Sequence, residues 1–267
     1  MMNLDGQVVI VTGASSGIGA ALAQAFSRRG ARLTLAARRL DRLAEVARKC
    51  GEESLTVGAD LSQEEDRNNV VQRTNERWRR IDILVNNAGA GLYRSFLSTT
   101  ETDWRQIFDV NLFALVFMTR AVLPFMQAQG SGLVVNMASI GGLIAHSDQV
   151  TPYVASKHAV VGFSRGLARD LAGTGIRVKA VCPHLTDTDF FRVSPGAREM
   201  APVVEKCKPF MDRPEEVAQG ILNQLDSDRL IIFPTSKPAK ASRSHRGACL
   251  RSHLREHAPF SSFGFLL

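Results

Sequence analysis

Short apolar runs alternate with longer helical patterns along most of this chain, and this alternation constrains its fold more than any other feature. The runs, rich in aliphatic and β-branched residues, lie at residues 7–12, 32–37, 54–59, 81–85, 133–138, 176–182 and 230–233. Strands that alternate with helices form parallel sheets covered by helices on both faces. The sequence therefore predicts an α/β fold with a doubly wound parallel sheet of about seven strands.

Composition is that of an ordinary globular protein. Hydrophobic residues make up 45% of the 267 residues and charged residues 22%. We find no apolar run near the ~20 residues that span a bilayer, and no basic leader at the N-terminus, so a membrane partner is not expected. The four cysteines have neither CxxC nor metal-ligand spacing, which favours a reduced, cytoplasmic location and no metal site.

The positive charge is concentrated at the C-terminus. The net charge is +7, and residues 235–267 contribute six Lys or Arg and one Glu. Residues 1–234 are therefore nearly neutral and are expected to form one domain, whereas 235–267 are expected to be a disordered basic tail. Nucleic-acid binding, if present, would depend on that tail alone.

A glycine-rich turn separates the first predicted strand from the first helix. Strand, glycine-rich turn and helix is the arrangement of a dinucleotide site, where glycines let the backbone approach a pyrophosphate at the helix N-terminus. The spacing is G-x-x-x-G-x-G, so a tight turn without a ligand is the alternative. The candidate cofactor-binding residues of this turn are Gly13, Ser15, Ser16, Gly17, Ile18 and Gly19.

Two arginines follow the second strand, about 20 residues beyond the last glycine of the turn. An NAD site places an acidic residue here for the ribose 2′-hydroxyl. Arg38 and Arg39 instead suit the 2′-phosphate of NADP, with Arg38 as the leading candidate and Ser15 as an additional donor. The alternative is a solvated helix start.

Tyr153 and Lys157 lie four residues apart in a predicted helix over 151–171, so they share one face. Lys157 has valines as helical neighbours and no carboxylate partner on its own helix. A cation ~4 Å from a phenol would lower its pKa by ~3 units and make it a proton donor or acceptor near neutrality. A solvated surface lysine is the simpler alternative.

Several polar residues stand at strand ends or on an apolar helix face, and each has a structural alternative. Asp60 could cap a helix, Asn87 could belong to a plain turn, and Asn111, on the apolar face of a long helix at 101–127, could brace a strand. Ser139 ends the fifth strand, at the edge of a parallel sheet where ligands bind.

The segment at 184–213 is rich in proline and apolar residues. We expect it to be irregular and to act as a lid over the substrate, because a connection of this length and composition is seldom a plain linker. Its phenylalanines favour an apolar substrate.

Taken together, these features resemble the short-chain dehydrogenase/reductase family, over residues 5–234. The motifs that match in order and spacing are Thr12-Gly13-x-x-x-Gly17-x-Gly19, Asp60, Asn86-Asn87-Ala88-Gly89, Asn111, Ser139, Tyr153-x-x-x-Lys157, and Pro183 with Thr188. The resemblance implies a Rossmann-type sheet and a nicotinamide cofactor. His184 departs from the family, which usually has glycine after this proline.

The resemblance also implies catalytic roles. Tyr153 would be the general acid in reduction and the base in oxidation, and Lys157 would lower its pKa and hold the nicotinamide ribose. Ser139 would bind the reacting oxygen, and Asn111 would hold a water in the proton relay. Asp60 and Leu61 would meet the adenine, Asn87 the adenosine ribose, and Thr186 and Thr188 the nicotinamide end.

The expected function is that of an NADP(H)-preferring oxidoreductase that interconverts a carbonyl and a secondary alcohol. We expect an apolar small-molecule substrate and a homodimer or homotetramer, with neither nucleic acid nor membrane as a partner. The main alternative is a non-catalytic dinucleotide- or nucleic-acid-binding protein that acts through the basic tail. A lipid-directed enzyme tethered by the tail is a third possibility.

Overall fold

Seven parallel strands form one sheet at the centre of the computed structural model, which describes residues 2–145 and 147–235. The strands are Val8–Thr12 (β1), Arg32–Ala37 (β2), Ser54–Gly58 (β3), Ile83–Asn86 (β4), Gly132–Met137 (β5), Ile176–Val181 (β6) and Ile231–Ile232 (β7). Their order is β3-β2-β1-β4-β5-β6-β7. The predicted Rossmann-type α/β fold is confirmed. The tail prediction lies outside the described residues, apart from Thr235.

Helices cover both faces of the sheet. They are Gly17–Ser27 (α1), Leu40–Cys50 (α2), Glu64–Trp78 (α3), Glu101–Phe108 (α4), Ala114–Gln129 (α5), Thr151–Asp170 (α6), Phe190–Val193 (α7), Ala197–Cys207 (α8) and Pro214–Leu222 (α9). Successive side chains of β1 point to opposite faces of the sheet, because side chains alternate in direction along a strand. Val9 and Val11 pack with α1, α2 and α9, whereas Ile10 packs with α3 and α5.

The strand order reverses beside β1. The chain runs outward through β2 and β3 and then returns to place β4 on the other side of β1. In open α/β sheets, ligands bind at such a switch point, outside the carboxyl ends of the strands. The glycine-rich turn follows β1 at this edge.

The predicted long helix at 101–127 is confirmed, with one irregularity. Between α4 and α5, residues Asp109–Phe113 form a π-helical segment. By length and composition the helix Glu101–Gln129 could cross a membrane, with a mean hydropathy of 1.6 over an 18-residue window, which the sequence analysis did not anticipate. Core helices of α/β domains satisfy the same criterion, and Met118, Val122 and Met126 of this helix are fully buried against the sheet.

The prediction that the lid segment is irregular is wrong, because it contains α7 and α8. Pro195 and Pro209 lie outside α8 and delimit it, and only Pro202 falls within it. Paired backbone at Thr186 and Asp212 joins the two ends of the segment. The segment is therefore a folded cap.

Candidate active site

The glycine-rich turn is packed too tightly for side chains at two of its glycines. A Cβ on Gly19 would lie 2.4 Å from the carbonyl oxygen of Gly13, and a Cβ on Gly13 would lie 2.8 Å from the Cα of Ala88. Gly13 and Gly17 also have φ values of +63° and +55°, which favour glycine. The turn therefore presents bare backbone at the N-terminus of α1, as a phosphate site requires.

Arg39, and not Arg38, reaches this turn. Its Nη2 donates to Ser16 Oγ at 2.7 Å and to Ser15 Oγ at 3.2 Å, whereas Arg38 is exposed. Both arginines follow β2, and successive side chains of extended backbone point to opposite sides, so only one of them can face the turn. The expected leading role of Arg38 is thus not what the geometry favours.

Asp60 lies at the end of β3, close to Arg38. Its carboxylate accepts hydrogen bonds from the backbone N and the hydroxyl of Ser62, at 3.1 Å and 2.8 Å. Partial burial acts to raise the pKa of Asp60, but the Ser62 hydrogen bonds and the charge of Arg38 outweigh it and lower the pKa. The neighbouring Leu61 is buried, and its carbonyl accepts from Arg67.

Asn87 joins the end of β4 to the glycine-rich turn. Its Nδ2 donates to the carbonyl oxygens of Thr12 at 2.9 Å and Gly13 at 3.2 Å. The Thr12 hydroxyl accepts from the backbone N of Asn87 and of Ala88. Thr12 thus holds the loop after β4 against the start of the glycine-rich turn. This role could not be predicted from its position at a strand end.

Asn111 occupies the π-helical segment and braces the site. Its Oδ1 accepts from Ala90 N at 2.7 Å, and its Nδ2 donates to Ala90 O at 2.9 Å and to Ser156 Oγ at 3.0 Å. The side chain is 1% exposed. These contacts hold a loop and α6, and not a strand as the structural alternative for Asn111 supposed. π-bulges are frequent at functional sites.

Ser139 and Tyr153 meet at the carboxyl edge of the sheet. Ser139 Oγ accepts from Gly141 N at 3.0 Å, and its hydroxyl lies near enough to the phenol of Tyr153 to act on the pKa of that group. Burial raises the pKa of Tyr153, although the Ser139 hydroxyl opposes this effect. The phenol is therefore protonated at neutral pH and can donate its proton.

Lys157 is buried one helical turn beyond Tyr153. Its Nζ donates to the carbonyl of Met137 at 2.8 Å and lies 5.9 Å from the centre of the Tyr153 ring. Burial lowers the pKa of Lys157 to about 8. The pKa of Tyr153 is raised and not lowered as expected, because desolvation of the phenol, which the expectation left out, is the largest effect on it.

Aromatic rings from the lid cover Tyr153. The Phe190 ring stands edge-on to Tyr153, with centroids 5.8 Å apart, and Phe191 stacks on Tyr93 at 6.4 Å. Tyr93 is 5% exposed, and its backbone N donates to the carbonyl of Pro195 of the lid at 2.9 Å. The sequence analysis did not find Tyr93, although the chain contains only two tyrosines and both lie at this site.

The start of the lid touches the glycine-rich turn. A Cβ on Gly17 would lie 3.0 Å from Thr188 Cγ2, and Thr188 Oγ1 accepts from Phe190 N at 3.3 Å. Thr186 is buried, and its hydroxyl donates to the carbonyl of His184 at 3.1 Å. Thr188 therefore lies against the glycine-rich turn, whereas Thr186 stands where the two ends of the segment pair.

The described residues fit a nicotinamide dinucleotide. Bare backbone, two serine hydroxyls and a guanidinium surround the start of α1, and a lysine and two hydroxyls stand at the other end of the cleft. No group of three or more His, Cys, Asp or Glu side chains able to hold a metal ion occurs in the described part of the chain.

Comparisons with known proteins agree with this geometry. The family model for short chain dehydrogenases matches residues 7–198. An uncharacterized oxidoreductase of Staphylococcus saprophyticus is 36% identical over 89% of this chain and 99% of its own length. The 3-oxoacyl-[acyl-carrier-protein] reductase of Thermotoga maritima is 35% identical over 83% of this chain and 91% of its own.

A solved structure is also similar throughout. It is a short-chain dehydrogenase/reductase from Burkholderia phymatum in complex with NAD, with a TM-score of 0.83 and 27% identity, covering 91% of this chain and 94% of that one. Fold, site and relatives lead to one conclusion: the chain belongs to the short-chain dehydrogenase/reductase family of oxidoreductases.

Proposed function

We propose that this enzyme interconverts a carbonyl and a secondary alcohol with NADP(H), and that Tyr153 is its general acid and base. The observation that carries the proposal is the position of Tyr153 beside Ser139 and one helical turn from buried Lys157, at the sheet edge next to the glycine-rich turn. A module that only binds a dinucleotide has no use for this arrangement of two hydroxyls and an ammonium.

The chain's own residues supply orientation and the proton. The hydroxyls of Ser139 and Tyr153 are two donors for one carbonyl oxygen, and Tyr153, neutral because burial raises its pKa, transfers its proton in the reduction. Lys157 is positioned to hold the nicotinamide ribose, and Asn111 to hold the loop at Ala90 and the Ser156 hydroxyl in place. The bound cofactor supplies the hydride.

Cofactor preference follows from Arg39. Its guanidinium, with the hydroxyls of Ser15 and Ser16, forms a group of donors that suits a phosphate monoester. No Asp or Glu stands between the end of β2 and Leu40, so an NAD ribose would lack its usual acceptor. Arg38, close to Asp60, becomes the second guanidinium of the proposal.

The remaining contacts with the cofactor are assigned as the family resemblance implies. Asp60 and Leu61 would meet the adenine and Asn87 the adenosine ribose. Thr186 and Thr188 would lie at the nicotinamide end, where the lid meets the glycine-rich turn. Gly13, Gly17, Ile18 and Gly19 would carry the pyrophosphate.

An apolar substrate fits the surroundings of Tyr153. The rings of Phe190, Phe191 and Tyr93 form a continuous aromatic wall, with the Phe190 and Phe191 centroids 5.7 Å apart. Such a wall binds hydrocarbon or aromatic groups and leaves Ser139 and Tyr153 to recognise the reacting oxygen.

Assembly and location complete the proposal. Phe113 and Phe117 on the outer face of the long helix are 45% and 41% exposed and stack at 6.2 Å, which supports a homodimer or homotetramer formed through the helices at 101–128 and 151–172. Cys50, Cys182 and Cys207 are buried and form no disulfide with one another, which supports the cytoplasmic location expected from the sequence.

A substrate panel tests the proposed function. The purified full-length protein is mixed with NADPH and a series of aldehydes, ketones and 3-oxoacyl thioesters, and the absorbance of the reduced cofactor is followed. We expect oxidation with at least one apolar carbonyl, slower with NADH. Binding of NADPH without turnover across the whole panel would favour the non-catalytic alternative instead.

A further inference from the structure

Asp189, in the lid, bridges two arginines. Its Oδ2 accepts from Arg42 Nη1 at 2.9 Å, and its Oδ1 accepts from Arg192 Nη2 at 2.5 Å. Arg42 belongs to α2, whereas Arg192 belongs to the lid, so only the first ion pair joins the lid to the body of the domain. The Arg42 and Asp189 side chains are 46% and 32% exposed.

Arg42 lies beside the donors assigned to the 2′-phosphate. It lies in the first turn of α2 and follows Arg39, the extended N-cap residue of that helix, by three residues. Arg39 turns to Ser15 and Ser16, and Thr188, next to Asp189, packs on Gly17 of the same turn. The Arg42–Asp189 pair thus borders the place where a phosphate on Arg39 would lie.

We propose that Asp189 is a specificity-determining residue, a lid carboxylate that competes with the 2′-phosphate of the cofactor for Arg42. The inference rests on the proposed NADP(H) function. A phosphate held by Arg39 would draw Arg42 away from Asp189 and would repel the carboxylate. NADH has no 2′-phosphate and leaves the pair intact.

The competition for Arg42 would also affect the substrate pocket. Asp189 is followed directly by Phe190, whose ring covers Tyr153. Releasing Asp189 from Arg42 removes the ion pair that joins the start of α7 to α2, and Phe190 is then free to move off the phenol. NADPH, more than NADH, would therefore open the substrate pocket.

Fluorescence titrations with NADPH and NADH test the proposal on the full chain. The variants are Asp189→Asn, Arg42→Gln, the double variant, and Arg192→Gln as a matched control that removes only the pair within the lid. Asp189→Asn should tighten NADPH binding about threefold to tenfold and change NADH binding less than twofold. In the Arg42→Gln background the same exchange should give no gain, and Arg192→Gln should leave the ratio of the two affinities unchanged.

Two results would overturn the inference. One is an Asp189→Asn variant that changes neither cofactor's affinity or changes both equally, and the other is an equal gain in the Arg42→Gln background. A wild-type protein that prefers NADH contradicts the proposed cofactor instead, and that result is read from the wild-type titration alone. The pair is exposed enough that unfolding of the variants is not expected, and circular dichroism checks this.

Discussion

The ammonium of Lys157 lies 5.9 Å from the centre of the Tyr153 ring and donates to the backbone carbonyl of Met137 at 2.8 Å. Burial lowers the pKa of Lys157 and raises that of Tyr153, so it favours the uncharged form of both groups. The phenol of Tyr153 is therefore protonated at neutral pH, as the proposed role of proton donor requires. In the oxidation direction Tyr153 would have to lose its proton to act as the base, and desolvation of the phenol opposes that loss.

The buried ammonium predicts a pH-dependent stability difference. The pKa of Lys157 is about 8 in the folded protein and ~10.4 in an unfolded chain. Between about pH 8 and about pH 10 the unfolded chain therefore binds more protons than the folded one. The contribution of Lys157 to the free energy of unfolding thus rises with pH over this range. Lys157→Met should thus be more stable than wild type at pH 7, by up to about 3 kcal/mol, and lose this advantage by about pH 10.

Burial raises the pKa of Cys50 to about 11, and this thiol acts on the wild type and the variant in the opposite sense but equally. Burial also raises the pKa of Cys182 to about 11, but the charge of Lys157 acts to lower it, so the two proteins are compared only up to about pH 10, where this thiol is still largely protonated in both. Urea unfolding at several pH values gives the difference, with Lys206→Met, at an exposed lysine, as the control. A difference that does not change between pH 7 and pH 10 would contradict the assignment.

Arg39→Gln should reduce the preference for NADPH over NADH by roughly tenfold to a hundredfold. One charge-assisted contact to a phosphate contributes about 1.5–3 kcal/mol. Arg38→Gln is the matched comparison and should have the smaller effect, because Arg38 is exposed and lies near Asp60. Titration of both variants with NADPH and NADH measures the two changes in preference. A larger effect of Arg38→Gln would show that Arg38, and not Arg39, makes the main contact with the 2′-phosphate.

Asn111→Leu should lower the free energy of unfolding by about 2–4 kcal/mol. The exchange keeps the shape of the side chain but leaves the N–H and C=O of Ala90 without the partners that Asn111 provides. Thermal unfolding measures the loss, and Asn69→Leu, at an exposed position of α3, should stay near wild type. An unchanged melting temperature would show that this side chain is not the brace described above.

Phe190→Ala should raise KM for apolar carbonyl substrates about tenfold and leave the Kd of NADPH nearly unchanged. The ring that borders Tyr153 supplies apolar surface to the substrate, and loss of such surface weakens ground-state and transition-state binding alike. Val193→Ala, at a 67% exposed position of the same helix, is the control. A large change in kcat alone would argue against a substrate-binding role.

The sheet and the arrangement of the motifs could be predicted from sequence because they depend on local patterns. The β-branched runs define the strands, and the glycines of the turn are required by contacts such as that of Gly19 with Gly13. The end of the fifth strand placed Ser139 at the ligand-binding edge, spacing put Tyr153 and Lys157 on one helix face, and the family resemblance brought the three together.

What could not be predicted depends on three-dimensional detail. Which of Arg38 and Arg39 faces the turn is decided by the direction of one backbone segment, and the pKa of Tyr153 by how much water the fold removes. Nothing in the local sequence indicates the π-helical segment at Asn111. The two lid helices could not be predicted because the prolines of that segment favour irregular structure. The Arg42–Asp189 pair joins residues 147 positions apart.

Tyr153→Phe tests the central claim most directly. The exchange removes the hydroxyl proposed as proton donor and keeps the ring that packs against Phe190. The measurement is the rate of NADPH oxidation with the best substrate of the panel, together with the Kd of NADPH from fluorescence. We predict a rate ~10²–10⁴-fold below wild type with the Kd within about twofold. A variant that keeps most of its activity, or loses it only because NADPH no longer binds, would contradict the role of Tyr153.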